Sequence, residues 1–286
     1  MYNLNIVLDD QSRIALSKAI KKSIHLLNYD ILYQYHNKHH AHIVASNAKF
    51  FGYSYGSVTC DAADILYYIG LCHDIVYRGS STHLLQRKNP YANHPQWVQK
   101  LVNKNIISNT PAETASANVS VALLKYYGFC RKDLLMRIKS AIELTCIGDE
   151  NFAARMHWRN TDPLSVCLIS ADLYNSASSV QHVMEETLKL GLEVDQTHIK
   201  KQLGLFFKSY KKYGLNSVSL DVLSKISLGF FDNIVFVGNN MQAGHPILQH
   251  AATATYNRLK EIVKQPKSYV ETFQNVNIDD IIRLYH

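Results

Sequence analysis

The chain has 286 residues, 47% of them apolar and 19% charged, which allows one large domain or a domain with a smaller appendage and excludes a disordered or fibrous protein. Against 23 acidic residues stand 30 basic ones, and the net charge of +7 favours an anionic partner: a phosphorylated small molecule, nucleic acid or an acidic membrane surface. The opening MYNLNIVLDD lacks the basic flank and apolar run of a secretory signal, no stretch is apolar for the length of a membrane span, and five scattered cysteines never form C-x-x-C. A cytoplasmic protein without stable membrane insertion is therefore expected.

Residues 11–28 (QSRIALSKAIKKSIHLLN) set Leu16, Ile20, Ile24 and Leu27 on one face at helical period. The next stretch, YQYHNKHHAHIVASNAKF (33–50), concentrates His36, His39, His40 and His42. Read as a helix, it points His36 and His40 the same way and His39 with Ile43 elsewhere, so two imidazoles can serve one site. GYSYG (52–56) matches G-x-S-x-G, but a nucleophile elbow needs a strand before it, and here a helix precedes, so a loop between helices is predicted.

Helical spacing continues over 58–77, 113–127, 131–147 and 164–189, with starts at Thr110-Pro111 and Thr161-Asp162-Pro163 and stops at Gly128 and Gly191. Between the first and second of these helices lies a basic insertion, about 78–112. No acidic residue occurs from Val76 to Ala112, and Arg78, Arg87, Lys88, Lys100 and Lys104 are spread among Ser, Asn, Pro and His. A long loop with one short helix over 95–102 is predicted.

The remainder repeats the helical period over 195–213, 219–236, 246–264 and 268–285, with a start at Gly244-His245-Pro246; FFDNIVFVG (230–238) is the candidate strand. The lysine-rich segment KKQLGLFFKSYKKYG (200–214) reads as an amphipathic helix with a solvated basic face in preference to a nucleic-acid or membrane contact. The predicted fold class is all-α, with a helical core over 1–190 and a helical extension over 191–286.

Two apolar runs carry residues that do not belong in a dry helix. His73 and Asp74 close YIGLCHDIVYRG (68–79), and Asp172 lies inside LSVCLISADLYN (164–175). A carboxylate there costs several kcal/mol unless it is paired, hydrogen-bonded or metal-bound, so a partner is required. Imidazole and carboxylate ligands together suit Mn, Fe, Zn, Co or Ni, or Mg where more oxygen completes the shell, and two His with two Asp leave positions for water.

The order H…HD…D, as His40, His73-Asp74 and Asp172, resembles the HD superfamily of metal-dependent phosphohydrolases. YHNKHHAHIV is similar to the Y-H-N-x-x-H-x-x-x-V block of the cyclic nucleotide phosphodiesterases in that superfamily, and SADLYN to their A-D-L-S-N. HDIVY, AETASA and AIELT resemble the H-D-x-V-Y, N-E-x-x-S-A and I-x-x-T blocks of bacterial predicted HD phosphohydrolases. Together these cover 33–175. The resemblance implies an HD-domain helical bundle in which His40, His73, Asp74 and Asp172 hold one or two divalent ions and His36 gives a proton to the leaving oxygen. Asp74 would bridge two ions or orient the attacking water.

The implied substrate is an anionic phosphate ester, nucleotide-like, cleaved as a phosphodiester or phosphomonoester; the alternative is a non-catalytic nucleotide-binding or interaction module that retains the metal site. His36 needs a carboxylate to hold its proton beside a cation, and Glu113 is a candidate for it. Arg78 and Asn175 are candidate substrate contacts. Tyr77 and Arg78 stand where the guanosine-tetraphosphate hydrolases carry acidic residues, and Ala112 stands where Asn or Asp is expected before Glu113.

Overall fold

The structure is a computed structural model that describes residues 4–27, 36–56, 58–76, 96, 99–100, 111–146, 159–193, 197–232, 244–273 and 278–279. Among the described residues every regular element is helical and no strand occurs, as an all-α bundle requires. In chain order the α-helices are α1 (Asp10–Leu27), α2 (Lys38–Ser54), α3 (Cys60–Cys72), α4 (Ala112–Tyr126), α5 (Lys132–Glu143), α6 (Pro163–Ala177), α7 (Val180–Glu193), α8 (Thr197–Tyr213), α9 (Ser217–Phe230) and α10 (Pro246–Lys264). Two 3-10 turns follow, Pro266–Tyr269 and Glu271–Phe273.

At the centre α2 packs on both α3 and α6, while α4 and α5 pair beside them, α7 and α10 pack on α6, and α9 lies against α7 and α10. The α2–α3 crossing is close because Gly70 has no Cβ: one built there would collide with the Ala45 backbone, 2.7 Å from its nitrogen. Facing residues Ala41, Val44, Ala45 and Ala48 are small and fully enclosed. Dense contact between slender helix faces follows, with Tyr68, Phe51, Leu66 and Ile69 filling the space around it. One buried apolar cluster runs from Leu4 to Ile278, so the core is continuous across residue 190.

Local signals explain the ends. Asp162 caps α6 by accepting from Leu164 N–H at 3.0 Å, with Pro163 in the first turn, and the Arg137 guanidinium grips the same carboxylate at 2.6 and 2.9 Å. His245 caps α10 through Nδ1, which accepts from Ile247 N–H at 3.3 Å. Gly128 turns with φ +94° after α4, the left-handed stop expected of it.

Several expectations are corrected. The helix expected over 164–189 breaks at Ser178–Ser179 into α6 and α7, where short hydroxyl side chains bond locally: Ser178 Oγ donates to Asn175 O at 3.0 Å and Ser179 Oγ accepts from His182 N–H at 3.2 Å. Gly191 does not stop a helix. It lies inside α7, where a Cβ would come within 2.6 Å of Leu203 Cδ1, so its absent side chain serves the approach of α8.

Gly52, Tyr53 and Ser54 close α2 instead of forming a loop, and Gly56 then turns with φ +93°. Phe230 ends α9, and Phe231 and Asp232 stay helical; the rest of the candidate strand lies outside the described residues. Over 266–273 the chain forms 3-10 turns where an α-helix was expected from 268. Of the basic insertion, Gln96, Gln99 and Lys100 are helical, within the short helix expected there, and most of the remainder, Arg78 included, lies outside the described residues. All five cysteines are free, and no described helix is long and apolar enough to cross a membrane.

Candidate metal centre

The histidine-rich stretch enters the fold differently from a continuous helix. Asn37 is the N-cap of α2, its side chain accepting from His39 N–H at 2.8 Å and His40 N–H at 3.1 Å. His40 therefore falls in the first turn, on the buried face, and His36 lies outside the helix. The two rings still meet, 5.9 Å between centroids, but the chain bend at the cap brings them together and not the four-residue helical spacing. His39 is exposed, and His42 turns outward to Tyr67, its Nδ1 3.1 Å from the phenol oxygen.

α3 delivers the next pair. Its apolar run ends at Cys72, His73 is the C-cap, and Asp74 starts the turn beyond. The His73 ring is 1% exposed, and its Nδ1 lies 2.8 Å from Gly70 O. A carbonyl oxygen only accepts, so Nδ1 carries a proton and Nε2 is the atom turned to the cluster, the arrangement found in ligand histidines held by a backbone carbonyl. The same bond satisfies a helix-terminal carbonyl.

α6 supplies Asp172. Its Oδ1 lies 3.2 Å from His40 Nε2 and 3.4 Å from His73 Nε2, and the two Nε2 atoms are 3.3 Å apart. Asp74 Oδ2 lies 2.9 Å from His73 Nε2 and 3.6 Å from His40 Nε2. Donors that share an ion at about 2.0–2.2 Å stand roughly 3.0–3.5 Å apart across tetrahedral or octahedral angles. His40, His73 and Asp74 form a group compact enough to hold an ion, and Asp172 lies at donor distance from both imidazoles.

Electrostatics agree with convergence. Burial opposes every charge here, raising carboxylates and lowering imidazoles, yet mutual attraction wins. The nearby His73 holds Asp74 and Asp172 below the usual carboxylate range, and Asp74 with Asp172 holds His73 well above the usual imidazole range.

The carboxylate that His36 requires is Glu193, not Glu113. Glu193 ends α7 almost fully buried; its Oε2 lies 2.6 Å from His36 Nδ1, and its Oε1 accepts from the His36 backbone N–H at 3.2 Å. Burial lowers the His36 pKa, but Glu193 and the negative charges of Asp74 and Asp172 reverse this and raise it. Glu193 sits in LGLEV, a carboxylate inside an apolar run, and the criterion that singled out Asp172 also selects it.

Glu113 lies in the first turn of α4, one turn before Ser116, whose Oγ accepts from Val76 N–H at 3.0 Å. Burial raises its pKa, and repulsion from Asp74 and Asp172 raises it further. Asn175 stands one turn past Asp172 on α6, half-buried. Compared with known proteins, the chain matches no family model, no curated protein and no solved structure.

Proposed function

We propose that this protein is a metal-dependent phosphohydrolase acting on a nucleotide-like phosphate ester. The observation that carries the reading is the convergence from three separate segments of His40, His73 and Asp74, 2.9–3.6 Å apart, with Asp172 3.2 and 3.4 Å from the two imidazoles and the His36–Glu193 pair beside them.

The donor set of two imidazoles and two carboxylates suits a divalent ion such as Mn, Fe, Zn, Co, Ni or Mg, with no requirement for sulfur. When bound, such an ion is a Lewis acid that polarises a phosphoryl oxygen and acidifies water.

The rest of the chemistry belongs to the chain. Glu193 accepts the Nδ1 proton of His36 in a charge-assisted bond, keeping the imidazolium protonated beside cations and leaving Nε2–H to be given away. As the water oxygen bonds to phosphorus and the bond to the leaving oxygen breaks, that proton neutralises the leaving group. Asp74, with 20% of its side chain exposed, faces the open side of the cluster and orients the water. His40 and His73 are almost fully enclosed and act as the fixed floor.

Purified protein loaded with Mn, Co, Ni, Mg or Zn is expected to hydrolyse bis-p-nitrophenyl or p-nitrophenyl phosphate. Asp74→Ala is expected to lose bound metal and turnover together, by about a thousandfold or more. His36→Ala is expected to keep the metal and slow turnover about 100-fold. Metal binding without turnover under any of the five ions would make the protein a nucleotide-binding module instead; loss of metal in His36→Ala would make that residue a ligand.

A further inference from the structure

The α8–α9 hairpin leaves one end of the bundle basic. α8 carries five lysines and no acidic residue, and Lys208, Lys211 and Lys212 are exposed on its last two turns. Lys212 reaches over the ring of Tyr213, 4.7 Å from its centroid, and Tyr213 itself is 63% exposed. A left-handed turn at Gly214, φ +66°, then leads into α9, whose second residue, Val218, is 61% exposed.

Val218 forms part of the wall of a cleft of about 600 Å³ between the start of α9 and the end of α10, lined also by Ser217, Lys264, Lys267 and Ser268. Among the described residues neither lysine of the cleft has a carboxylate partner. Asp221 also lines it, but its charge is already met by Lys225 Nζ at 2.7 Å. Two uncommitted ammonium groups and two hydroxyls therefore face one space, donors that match a phosphate. At the rim a valine gives nothing to a free anion or to a nucleic-acid backbone. The headgroup layer of a bilayer accepts apolar and aromatic side chains while its phosphates meet the lysines.

We propose that this end of the bundle is a docking surface for an anionic membrane. The cleft takes a lipid headgroup phosphate between Lys264 and Lys267, Lys211 and Lys212 face neighbouring headgroups, and Tyr213 and Val218 enter the interface. The attachment is peripheral and independent of the phosphohydrolase reading.

Co-sedimentation of the full chain with lipid vesicles tests this. Binding is expected to vesicles of phosphatidylcholine mixed with phosphatidylserine, not to phosphatidylcholine alone, and is expected to weaken with salt. The double variant Lys264→Gln, Lys267→Gln is expected to bind about 30-fold more weakly, the size of two cations at an anionic surface, and Val218→Ser several-fold more weakly. Both are expected to keep the wild-type thermal midpoint, since the three side chains are exposed. No binding to the anionic vesicles, equal binding to both kinds, or undiminished binding in the lysine variant would overturn the proposal. An oligonucleotide bound more tightly than the vesicles, and released by the lysine variant, would overturn it in favour of nucleic acid. Inorganic phosphate lost by the lysine variant, with full vesicle binding in Val218→Ser, would make the cleft a site for a free anion instead. If the lysine variant fails to fold, Lys211→Gln with Lys212→Gln, outside the cleft, decides: weaker vesicle binding supports the proposal and unchanged binding overturns it.

Discussion

Two polar regions adjoin the last turns of α3, and they meet burial in opposite ways. On one side, neutral groups close on the chain's own backbone: Tyr68 OH donates to Ser120 O at 2.7 Å, Ser120 Oγ to Ser116 O at 2.7 Å, Val76 N–H to Ser116 Oγ at 3.0 Å and Ser23 Oγ to Ala19 O at 3.0 Å. The Ser23 hydroxyl proton is committed to that carbonyl, so the Cys72 thiol, 3.2 Å away, donates to Ser23. Each donor has an internal acceptor and nothing further is needed. On the other side, the Nε2 atoms of His40 and His73 come together with the carboxylate oxygens of Asp74 and Asp172. A closed hydroxyl network satisfies itself, whereas converging imidazoles and carboxylates balance one another's charge or share a cation.

The largest expected effect comes from the crossing that both regions share. Gly70→Ala gains helix propensity, worth about 0.5–1 kcal/mol, but drives a Cβ into the Ala45 backbone, where overpacking costs about 1–3 kcal/mol. Because Gly70 O also holds His73, the variant is expected to lose stability in chemical denaturation and most of its metal in elemental analysis. Retention of both would show that the two helices separate without disturbing the cluster.

Next comes a change confined to the charged side. Glu193→Gln keeps the shape of the contact to His36 but removes the charge that holds its proton. Turnover is expected to fall about 10- to 100-fold, with metal content unchanged. A fall in metal content instead would place Glu193 in the structural support of the ligands.

Ser116→Ala is the matching change on the neutral side. It leaves Val76 N–H without its acceptor in a buried setting, at a cost of about 1–2 kcal/mol, while metal content is expected to stay constant, since no ligand is touched. Metal loss in this variant would mean that the hydroxyl network sets the ligand geometry.

The smallest effect lies at the surface, where Arg13 bonds Asp61 at 2.9 and 3.1 Å and Asp61 also accepts from Leu8 N–H at 2.8 Å. The Arg13 bond outweighs burial and, with the Leu8 bond, lowers the Asp61 pKa below its ordinary value. Folding stability from this carboxylate is therefore fully present above the unfolded value near 3.9 and is lost as pH falls through the lower folded value. Wild type minus Asp61→Asn, measured by urea unfolding, is expected to be a positive difference of a few tenths to about 1 kcal/mol at pH 6 that shrinks toward pH 2. A constant difference would assign the stabilisation to shape rather than charge.

Much of the site was legible because it breaks a rule that apolar helices otherwise keep. His73, Asp74 and Asp172 stand out as ionisable residues in dry runs, and His40 within a histidine cluster, and in the structure each of the two carboxylates lies against both imidazoles. Glu193 breaks the same rule but stands far from the histidines in sequence, and no spacing links residues 36 and 193. Glu113, nearer the other blocks in the chain, was a candidate for that partner and is not the residue that His36 touches. The break at Ser178–Ser179 was hidden because apolar residues continue on both sides of it at helical period; local hydroxyl bonds ended the helix where hydrophobic pattern does not.

The amino-acid sequence by itself determined what depends on neighbours along the chain: helices from their apolar period, caps at Asp162 and His245, the turn at Gly128, and residue types suited to a metal. Tertiary structure decided which of those residues meet. Gly70 and Gly191 show the reason, since each takes its role from a neighbour in space, Ala45 or Leu203, whose approach no local pattern encodes. A pairing such as His36 with Glu193 depends on how whole helices stack, and stacking is set by the summed burial of many side chains rather than by any short stretch of them.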